Sequence, residues 1–587
     1  MCGIGGIIFK NNKPVEKKLL RLMAGALEHR GPDGIGYYID DGLGLVHRRL
    51  AIIDLENGAQ PMENHKHVLV ANGEIYNYLE LRQQFPQYHW KTKSDCESIL
   101  NLFSDDDSAC FNHLRGMFAF AIYNKSTRHL MLARDPYGIK PLYIAETEDA
   151  FIFASESKAI LATGLVDREV DSYALGDFLA HQFVHGKHCL FKSIKRVKPG
   201  DMLHISQGHI VQTDRLKRSL GDSGKWSKST EAELIEQLDH VLNDSLNIHL
   251  RSDVPYGLFL SGGIDSNSIL SLLRRFEAPR ICLTAQFKEL GMASVHNEMD
   301  QASQVADLDR HIKVTIGEQD FLKKFPQIIE AFDDCTADYA MIPTWFLGEA
   351  ASKAGLKVIL SGEGGDEFFA GYGRYRKRFW HMFKKQKTFP KNCLAQIDLL
   401  HQPWHQLSYQ DSMAMDSSIL LSDLQKKQLC DIDGWLAPDL LLKLDRSLMS
   451  HGVEGRTPFV DQTLSTFAFS LPDKVKIKSS KGKWILRQWL HKNQPLSNAF
   501  GRKRGFSVPV ANWLYRHRKH LVVLIKRQKM LEQWMKLQTV EHLFEKQFDQ
   551  HFVLCWHLLV FIVWYKIHIE CKKPNDFGDL FTLLEKD

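Results

Sequence analysis

The sequence lacks the features that mark disulfide-rich, zinc-binding or secreted proteins. Its ten cysteines are scattered over 587 residues without a CxxC pair, so we expect reduced thiols, and neither a disulfide framework nor a zinc site built from cysteines. The N-terminal segment does not read as a secretory signal peptide. These absences predict a cytoplasmic protein.

Long apolar runs and one-sided charge are missing as well. The most apolar segment, residues 552–563 (FVLCWHLLVFIV), is interrupted by His557 and is shorter than the roughly 20 residues of a spanning helix. It predicts a buried helix and no membrane insertion. Lys and Arg number 75 against 70 Asp and Glu, and this small excess does not call for nucleic acid.

What the sequence does have is length and apolar content. With 587 residues, 44% of them hydrophobic, the chain exceeds the size at which single cores stop growing. Residues 213–230 are polar, contain Gly and Ser and lack a hydrophobic period. We therefore predict one domain over residues 2–212, a linker over 213–230 and a second domain over 231–587.

The thiol at position 2 runs directly into a strand-like apolar stretch. If Met1 is removed, Cys2 carries a thiol and an α-amino group whose pKa is ordinarily near 8. One residue then holds both a nucleophile and a general base. From Cys2 alone, a merely buried N-terminal cysteine is an equal alternative.

Four polar clusters follow, each beside an apolar stretch: RGPDG at 30–34, HRRLAIID at 47–54, NGEIYN at 72–77 and SDCE at 94–97. In order and spacing they resemble the glutaminase domain of class II glutamine amidotransferases. The resemblance covers roughly the first 200 residues. It implies an α+β N-terminal-nucleophile fold of four layers, αββα.

By this resemblance Cys2 attacks the side-chain amide of glutamine, forming a glutamyl thioester and releasing ammonia. The Asn72 side chain and the Gly73 N–H would form the oxyanion hole. Arg49 would pair with the glutamine α-carboxylate, while Glu74 and Asp95 would hold the α-ammonium. The implied glutamine-binding residues are Arg49, Ile52, Asn72, Gly73, Glu74 and Asp95. The alternative is that Asn72 and Gly73 form a hairpin turn and Arg49 lies on the surface.

In the second domain, a helical period over 231–250 precedes a buried parallel strand at 256–260 and the loop SGGIDS at 261–266. Glycines let backbone N–H groups approach phosphate oxygens, and a following helix N-terminus favours anions. The loop is not a Walker A sequence, because no Gly-Lys-Ser/Thr follows it. It resembles the pyrophosphate loop of the ATP pyrophosphatases, which cleave ATP between the α and β phosphates.

A second strand and loop, KVIL at 357–360 and SGEGGDE at 361–367, narrow the resemblance to the asparagine synthetases. This implies an α/β ATP-pyrophosphatase domain, with Asp265 and Asp366 holding Mg²⁺. Glu363 would be the base that helps ammonia attack. The implied ATP-binding residues are Leu260, Ser261, Gly262, Gly263, Asp265, Ser266, Ala285, Ser361 and Gly362.

Two later segments also resemble the family. Residues 452–461 (GVEGRTPFVD) resemble one of its helices, and residues 481–487 (KGKWILR) resemble the stretch that supplies a catalytic lysine. Lys483 is the candidate for neutralising the α-phosphate, with Lys481 as its competitor.

The family resemblance implies glutamine, L-aspartate and ATP as small-molecule substrates, and a homodimer is common among relatives. The sequence departs from the usual pattern at Gln286 and over residues 333–335 (DDC). The acceptor is therefore either free aspartate or another carboxylate, such as a sugar uronic acid of a surface polysaccharide precursor or a peptide. The basic, aromatic stretch 374–387 leaves an RNA-binding alternative, which we disfavour because the net charge offers no wider positive field.

Overall fold

The computed structural model describes residues 2–105, 108–216, 218, 220–221, 224–276, 280–288, 310–376, 392–395, 397–402, 421–501 and 508–586. These residues form two antiparallel sheets in the N-terminal part and one parallel sheet in the C-terminal part.

The first sheet is built around the N-terminal strand. Its strands are β1 Cys2–Phe9, β2 Gly34–Asp40, β3 Leu43–Arg49, β8 Tyr143–Glu146, β9 Ala150–Ala154 and β10 Ile194–Arg196. They run in the order β10–β8–β9–β1–β3–β2. Because β1 pairs with β3 over residues 2–8 and with β9 over residues 5–9, this strand lies inside the sheet and not at its edge.

The second sheet contains the other strands of this domain, β4 Met62–Glu63, β5 His67–Ile75, β6 Gly116–Asn124, β7 His129–Arg134, β11 Asp201–Ser206 and β12 His209–Arg215. Their order is β12–β11–β7–β6–β5–β4. Strand β12 extends to Arg215, three residues into the segment that the sequence predicts as a linker.

The two sheets face each other and carry helices on their outer surfaces. Ile4 and Leu45 of the first sheet share one apolar cluster with Val70 and Ala121 of the second. The helices of this domain are α1 Lys17–Ala26, α2 Tyr78–Gln84, α3 Glu97–Leu102, α4 Ser157–Ala162 and α5 Ser172–His181. Helices α1, α4 and α5 cover the first sheet, and α2 and α3 cover the second. The predicted αββα arrangement is confirmed.

The third sheet is wholly parallel, with strands β13 Tyr256–Phe259, β14 Ile281–Phe287, β15 Arg310–Ile316, β16 Val358–Leu360 and β17 Glu454–Arg456. The order is β15–β14–β13–β16–β17, which confirms the α/β prediction. From β13 the chain first adds β14 and β15 on one side of that strand and then β16 and β17 on its other side. The switch point therefore lies between β13 and β16, where open α/β sheets bind ligands at their carboxyl ends.

Helices surround this sheet. The first two, α6 Glu231–His249 and α7 Ile264–Leu273, precede and follow β13 along the chain. Helix α6 begins with a capping box between Thr230 and Glu233. The later described α-helices, with one π-helix among them, are Glu318–Ala331, Met341–Lys353, Gly365–Phe368, Asp423–Asp431, the π-helix Ile432–Leu441, Leu442–Met449, Gln462–Ser470, Asp473–Lys476, Trp484–Asn493, Val510–Arg516, Arg518–Lys526, Leu537–Lys546, Phe552–His568 and Leu580–Glu585.

The prediction of a helix over residues 452–461 is wrong. Glu454–Arg456 is instead the edge strand β17, and Pro458–Val460 is a single 3-10 turn. Gly452 has φ near +65°, and the residue before a proline is disfavoured in helical conformation. Both features keep this segment from forming an α-helix.

The apolar segment near the C-terminus is a buried helix, as the sequence predicts. Within Phe552–His568, the Trp556 and Trp564 indoles donate to the carbonyls of Ala337 and Asp333. The helix also packs against α5 of the first domain. Among the described helices, none combines the length and apolarity needed to cross a bilayer.

Candidate active sites

The first candidate site is centred on Cys2, at the start of β1. The Cys2 backbone N–H donates to Asn72 Oδ1 at 3.0 Å, and its carbonyl accepts from Arg30 Nε at 3.1 Å. Burial raises the pKa of the Cys2 thiol above its ordinary value, and a backbone hydrogen bond from Leu50 opposes part of this effect. The main chain of Cys2 is thus fixed from both sides.

Asn72 provides an unused donor beside Cys2. Its side chain is fully buried, and no described residue accepts a hydrogen bond from Nδ2. A buried amide donor without a partner is costly, and it matches what stabilisation of a developing oxyanion requires.

Asn72 and Gly73 lie within strand β5, so the hairpin-turn interpretation is wrong. A Cβ on Gly73 would come within 2.2 Å of the Met117 carbonyl oxygen of the paired strand. The glycine is therefore required by the close approach of β6, and a turn conformation plays no part.

Arg49, at the end of β3, is held by the loop that follows it. Its guanidinium donates to the carbonyls of Leu55 at 3.1 Å and Asp54 at 2.5 Å. A Cβ on Gly58 would come within 2.4 Å of Arg49 Nη2, so this loop has room for the guanidinium only because Gly58 lacks a side chain. Arg49 is partly buried and fixed in place, and the surface alternative does not describe it.

Glu74 and Asp95 form a buried acidic pair close to Cys2. Burial raises the pKa of both carboxyls, and for Glu74 the neighbouring Asp95 adds to the effect. Asp95 accepts a hydrogen bond from the Ile75 N–H at 2.7 Å. Arg456, on β17 of the second domain, lies 3.5 Å from Glu74 Oε1 and opposes the rise. Two carboxylates in low dielectric favour binding of a cationic group.

The second candidate site lies at the carboxyl ends of β13 and β16. The loop after β13 is shaped by its own residues, because the Ser261 N–H donates to Ser266 Oγ at 3.1 Å and that hydroxyl donates to the Ser261 carbonyl at 2.9 Å. Helix α7 begins within this segment, at Ile264. Its first N–H groups, with no intrahelical acceptors, make this end of the loop favourable for anions.

Lys483 joins this loop to the one after β16. Its Nζ lies 2.5 Å from Asp265 Oδ2 and 2.9 Å from Asp366 Oδ1. Burial alone would lower the pKa of Lys483, but the two carboxylates outweigh it and the pKa is raised. The competing Lys481 donates to the Phe500 carbonyl instead. Of the two candidates, only Lys483 contacts the predicted acidic residues.

Glu363 has two neighbours that the sequence did not identify. Lys443 Nζ lies 3.7 Å from Glu363 Oε1 and 2.8 Å from Asp338 Oδ2. Removal from water raises the pKa of the Glu363 carboxyl, and Lys443 opposes this. A carboxyl whose pKa lies above its ordinary value is a stronger base than an ordinary carboxylate, which suits a general base.

The Leu442–Met449 helix reaches both sites. Lys443 points to Glu363, whereas Asp445, two residues on, accepts from Arg30 Nη1 at 2.7 Å and Nη2 at 3.1 Å. Arg30 is the residue that donates to the Cys2 carbonyl. One short helix therefore connects the two candidate sites through buried ionic contacts.

Comparison with known proteins identifies both halves of the chain. Residues 1–215 match the model of the glutamine amidotransferase domain, and residues 237–566 match that of asparagine synthase. The chain is 33% identical to glutamine-hydrolyzing asparagine synthetase 1 of Bacillus subtilis (strain 168), with 97% of each chain covered. It is 29% identical to asparagine synthetase B of Escherichia coli (strain K12), covering 88% of this chain and 83% of that one.

The chain belongs to the asparagine synthetase family. Its departure from the family pattern over residues 333–335 lies at the contact between the domains. Asp334 Oδ2 accepts hydrogen bonds from Arg196 Nε at 2.5 Å and from the Tyr143 hydroxyl at 2.6 Å. Asp333 lies 2.9 Å from Arg446 Nε. Both carboxylates are fully buried and link the domains, Asp334 through Arg196 and Tyr143 and Asp333 through the Ser157 hydroxyl, which donates to it at 2.7 Å.

The basic stretch 374–387 is described only as far as Arg376, and the remainder lies outside the described residues. Arg374 pairs with Asp431 at 2.7 Å, and Arg376 donates to the Ser480 carbonyl at 3.1 Å. The two described arginines of the stretch thus make internal contacts.

Proposed function

We propose that this chain synthesises L-asparagine from L-aspartate, ATP and glutamine, releasing glutamate, AMP and pyrophosphate. The observation that carries the proposal is that one chain of the asparagine synthetase family holds both a buried Cys2–Asn72 pair and a Lys483–Asp265–Asp366 cluster. The first suits hydrolysis of an amide, and the second suits chemistry on a nucleotide phosphate.

In the first domain, Cys2 Sγ attacks the side-chain carbonyl carbon of glutamine. We infer that removal of Met1 frees the Cys2 α-amino group, which takes the thiol proton and passes it to the departing ammonia. Asn72 Nδ2 and the Gly73 N–H stabilise the oxyanion. Water then cleaves the thioester and releases glutamate.

The ends of glutamine carry opposite charges, and the site has a group for each. Arg49, with Ile52 beside it in the same loop, would bind the α-carboxylate through its planar guanidinium. Glu74 and Asp95 would bind the α-ammonium. Support comes from the fixed position of Arg49 and from the buried acidic pair.

In the second domain, a carboxylate oxygen of aspartate attacks the α-phosphorus of ATP, and pyrophosphate leaves. Lys483 would neutralise charge on the phosphate as the adenylate forms. Asp265 and Asp366 fit a Mg²⁺ ion, because they offer hard oxygen ligands around one cationic position. A Cβ on Gly365 would come within 2.4 Å of Asp265 Oδ1, and one on Gly371 within 1.8 Å of Asp366 Oδ1, so glycines leave these oxygens room. When bound, the ion would offset the charge of the pyrophosphate.

Ammonia then attacks the acyl carbon of the adenylate, and AMP leaves. Glu363 would accept the proton that ammonia loses, with Lys443 holding the carboxylate in position. The residues proposed to contact ATP are Leu260, Ser261, Gly262, Gly263, Asp265, Ser266, Ala285, Ser361 and Gly362.

The test supplies purified protein with glutamine and MgATP, with and without L-aspartate, and identifies the products by mass spectrometry. We expect AMP, pyrophosphate and asparagine in equal amounts, all dependent on aspartate. Glutamine hydrolysis without aspartate-stimulated pyrophosphate release would contradict the proposed acceptor and favour another carboxylate. The Cys2→Ala variant should lose glutamine-dependent synthesis and retain ammonia-dependent synthesis, and loss of both would contradict the division between the domains.

We also propose a homodimer, which the family resemblance implies, together with no nucleic-acid partner, from the small net charge, and a cytoplasmic location, from the cysteine pattern and the N-terminal segment. Sedimentation of the purified chain, alone and with added RNA, tests the first two of these predictions.

A further inference from the structure

We propose that Asp177, His181 and His185 form a binding site for a divalent transition-metal ion of the Zn²⁺ type, separate from both active sites. The potential ligand atoms of the three side chains all lie within 4.8 Å of one another. Asp177 Oδ1 is 2.9 Å from His181 Nδ1, and Asp177 Oδ2 is 2.9 Å from His185 Nδ1. A single ion between them can replace these hydrogen bonds.

The backbone brings the three residues together. Asp177 and His181 are four residues apart in the last turns of α5, so their side chains share one face of the helix. Gln182 then adopts a left-handed conformation, with φ near +71°, which ends the helix and turns the chain back. The His185 N–H consequently donates to Asp177 Oδ2 at 2.7 Å, which fixes the carboxylate from a third direction.

The turn is anchored to the second domain. Gln182 Nε2 donates to Asp439 Oδ2, and the Ala337 N–H donates to the Gln182 carbonyl, both at 2.7 Å. The three side chains are thus held in place before any ion arrives, so little ordering entropy opposes binding.

Burial and ligand type define the ion. The Asp177 and His181 side chains are 3% and 8% exposed, whereas His185 is 25% exposed, so an ion can enter past His185 and retain water on that side. Two imidazole nitrogens and one carboxylate oxygen suit Zn²⁺ and similar ions. Mg²⁺ and Ca²⁺ prefer sites made of oxygen alone. Each imidazole binds as the neutral tautomer with its proton on Nε2.

We expect the ion to stabilise the contact between α5 and the second domain and to take no part in the chemistry. The site shares no residue with either proposed active site. Its loss should therefore leave turnover with glutamine and aspartate unchanged.

The test titrates Zn²⁺ alone into the metal-free full-length protein in competition with a chromophoric chelator. The wild-type chain should bind one Zn²⁺ at this site, and His185→Ala should weaken that binding about tenfold or more. His188→Ala, in the same loop but outside the cluster, is the matched control and should bind as the wild type does. Zn²⁺ should raise the Tm of the wild type and the control more than that of His185→Ala.

Two results would overturn the proposal. One is a wild-type chain that binds Zn²⁺ no more tightly than His185→Ala. The other is an equal loss in His188→Ala. Either would show that the cluster is only a carboxylate hydrogen-bonded by two imidazoles. Because His185 is the most exposed of the three, this variant should fold, and its far-UV circular dichroism and aspartate-dependent turnover verify that it does.

Discussion

The two candidate active sites are built in different ways. In the first domain, Cys2 and Asn72 lie on strands β1 and β5 of the two facing sheets, and Arg49 and Asp95 are fixed by hydrogen bonds to backbone groups. In the second domain, the corresponding residues lie on loops and in the first turns of helices. There Lys483 makes ion pairs with Asp265 and Asp366, and Lys443 lies between Glu363 and Asp338.

The difference follows from the charge of the substrates. In the proposed reaction glutamine presents a neutral amide to Cys2, so a buried site with fixed dipoles can be ready in advance. ATP brings several negative charges, so the second site needs cations and acidic residues that keep one another neutral until the nucleotide arrives. Variants should therefore separate the two chemistries, except where a residue connects the domains.

The largest effect is expected for Lys483→Met. Removing the lysine that pairs with both Asp265 and Asp366 should lower aspartate-dependent pyrophosphate release by about 1,000-fold, or about 4 kcal/mol of transition-state stabilisation. Glutamine hydrolysis should persist. Lys481→Met is the matched control, because its ammonium contacts a backbone carbonyl away from the acidic residues. A similar loss in both variants would contradict the assignment of Lys483.

Asn72→Ala should have the opposite effect, impairing glutamine hydrolysis and sparing synthesis from ammonia. Loss of the unpaired buried amide donor should lower kcat for glutamine hydrolysis about 100-fold to 1,000-fold, with a smaller change in KM, because the donor acts on charge that develops in the transition state. Ammonia-dependent synthesis should remain. Asn101→Ala, on the exposed side of α3, serves as the control. A purely structural role of Asn72 would instead impair both reactions together.

These two sites could be predicted from the sequence because their residues stand in short, contiguous motifs. Strand–loop–helix patterns around residues 261 and 361 also predicted the parallel sheet. Such patterns are predictive because, in a phosphate loop, the same few residues set the backbone conformation and supply the groups that bind phosphate. The same reasoning is weak for Asn72 and Gly73, since an Asn-Gly pair favours a turn unless a neighbouring strand determines otherwise.

The contacts between the sites could not be predicted. Arg30 and Asp445 are separated by 415 residues, and neither residue type shows its partner in the sequence. Nor could Lys443 be connected with Glu363, because which face of the Leu442–Met449 helix meets the loop depends on tertiary packing. Ionic partners in a buried interface are fixed by the assembled fold alone.

Asp445→Asn tests the connection between the sites. The change preserves shape but removes the charge that faces Arg30, so Arg30 should hold the Cys2 carbonyl less firmly. We expect kcat/KM for glutamine to fall about tenfold, or about 1.4 kcal/mol, while ammonia-dependent synthesis changes less. Breaking a buried ion pair should also lower the free energy of unfolding by about 3–5 kcal/mol.

The control for this variant is Asp244→Asn, which weakens a different ion pair between the domains, that of Arg115 with Asp244. It does not contact Cys2 or Glu363. If Asp244→Asn reduced glutaminase activity as much as Asp445→Asn, the effect would come from general loosening of the interface and not from the path through Arg30.

The smallest expected effect is on the pH dependence of glutamine binding. Burial raises the pKa of Glu74 and Asp95, so as pH falls both take up protons at a higher pH than an ordinary carboxyl, whose pKa is near 4. Protonation removes the attraction for the glutamine α-ammonium. KM for glutamine should therefore rise a few-fold toward acidic pH, as measured by glutamate release.

Glu74→Gln should raise KM at neutral pH and flatten its pH dependence, because one of the two titrating groups is gone. A wild-type KM that stays constant down to the pH range in which ordinary carboxyls titrate would contradict the raised pKa values.

Arg456 connects this pH dependence with the second domain. This residue of the second domain opposes the rise at Glu74 from 3.5 Å. Any movement that draws Arg456 away should therefore shift the pH at which glutamine binding weakens to a higher value.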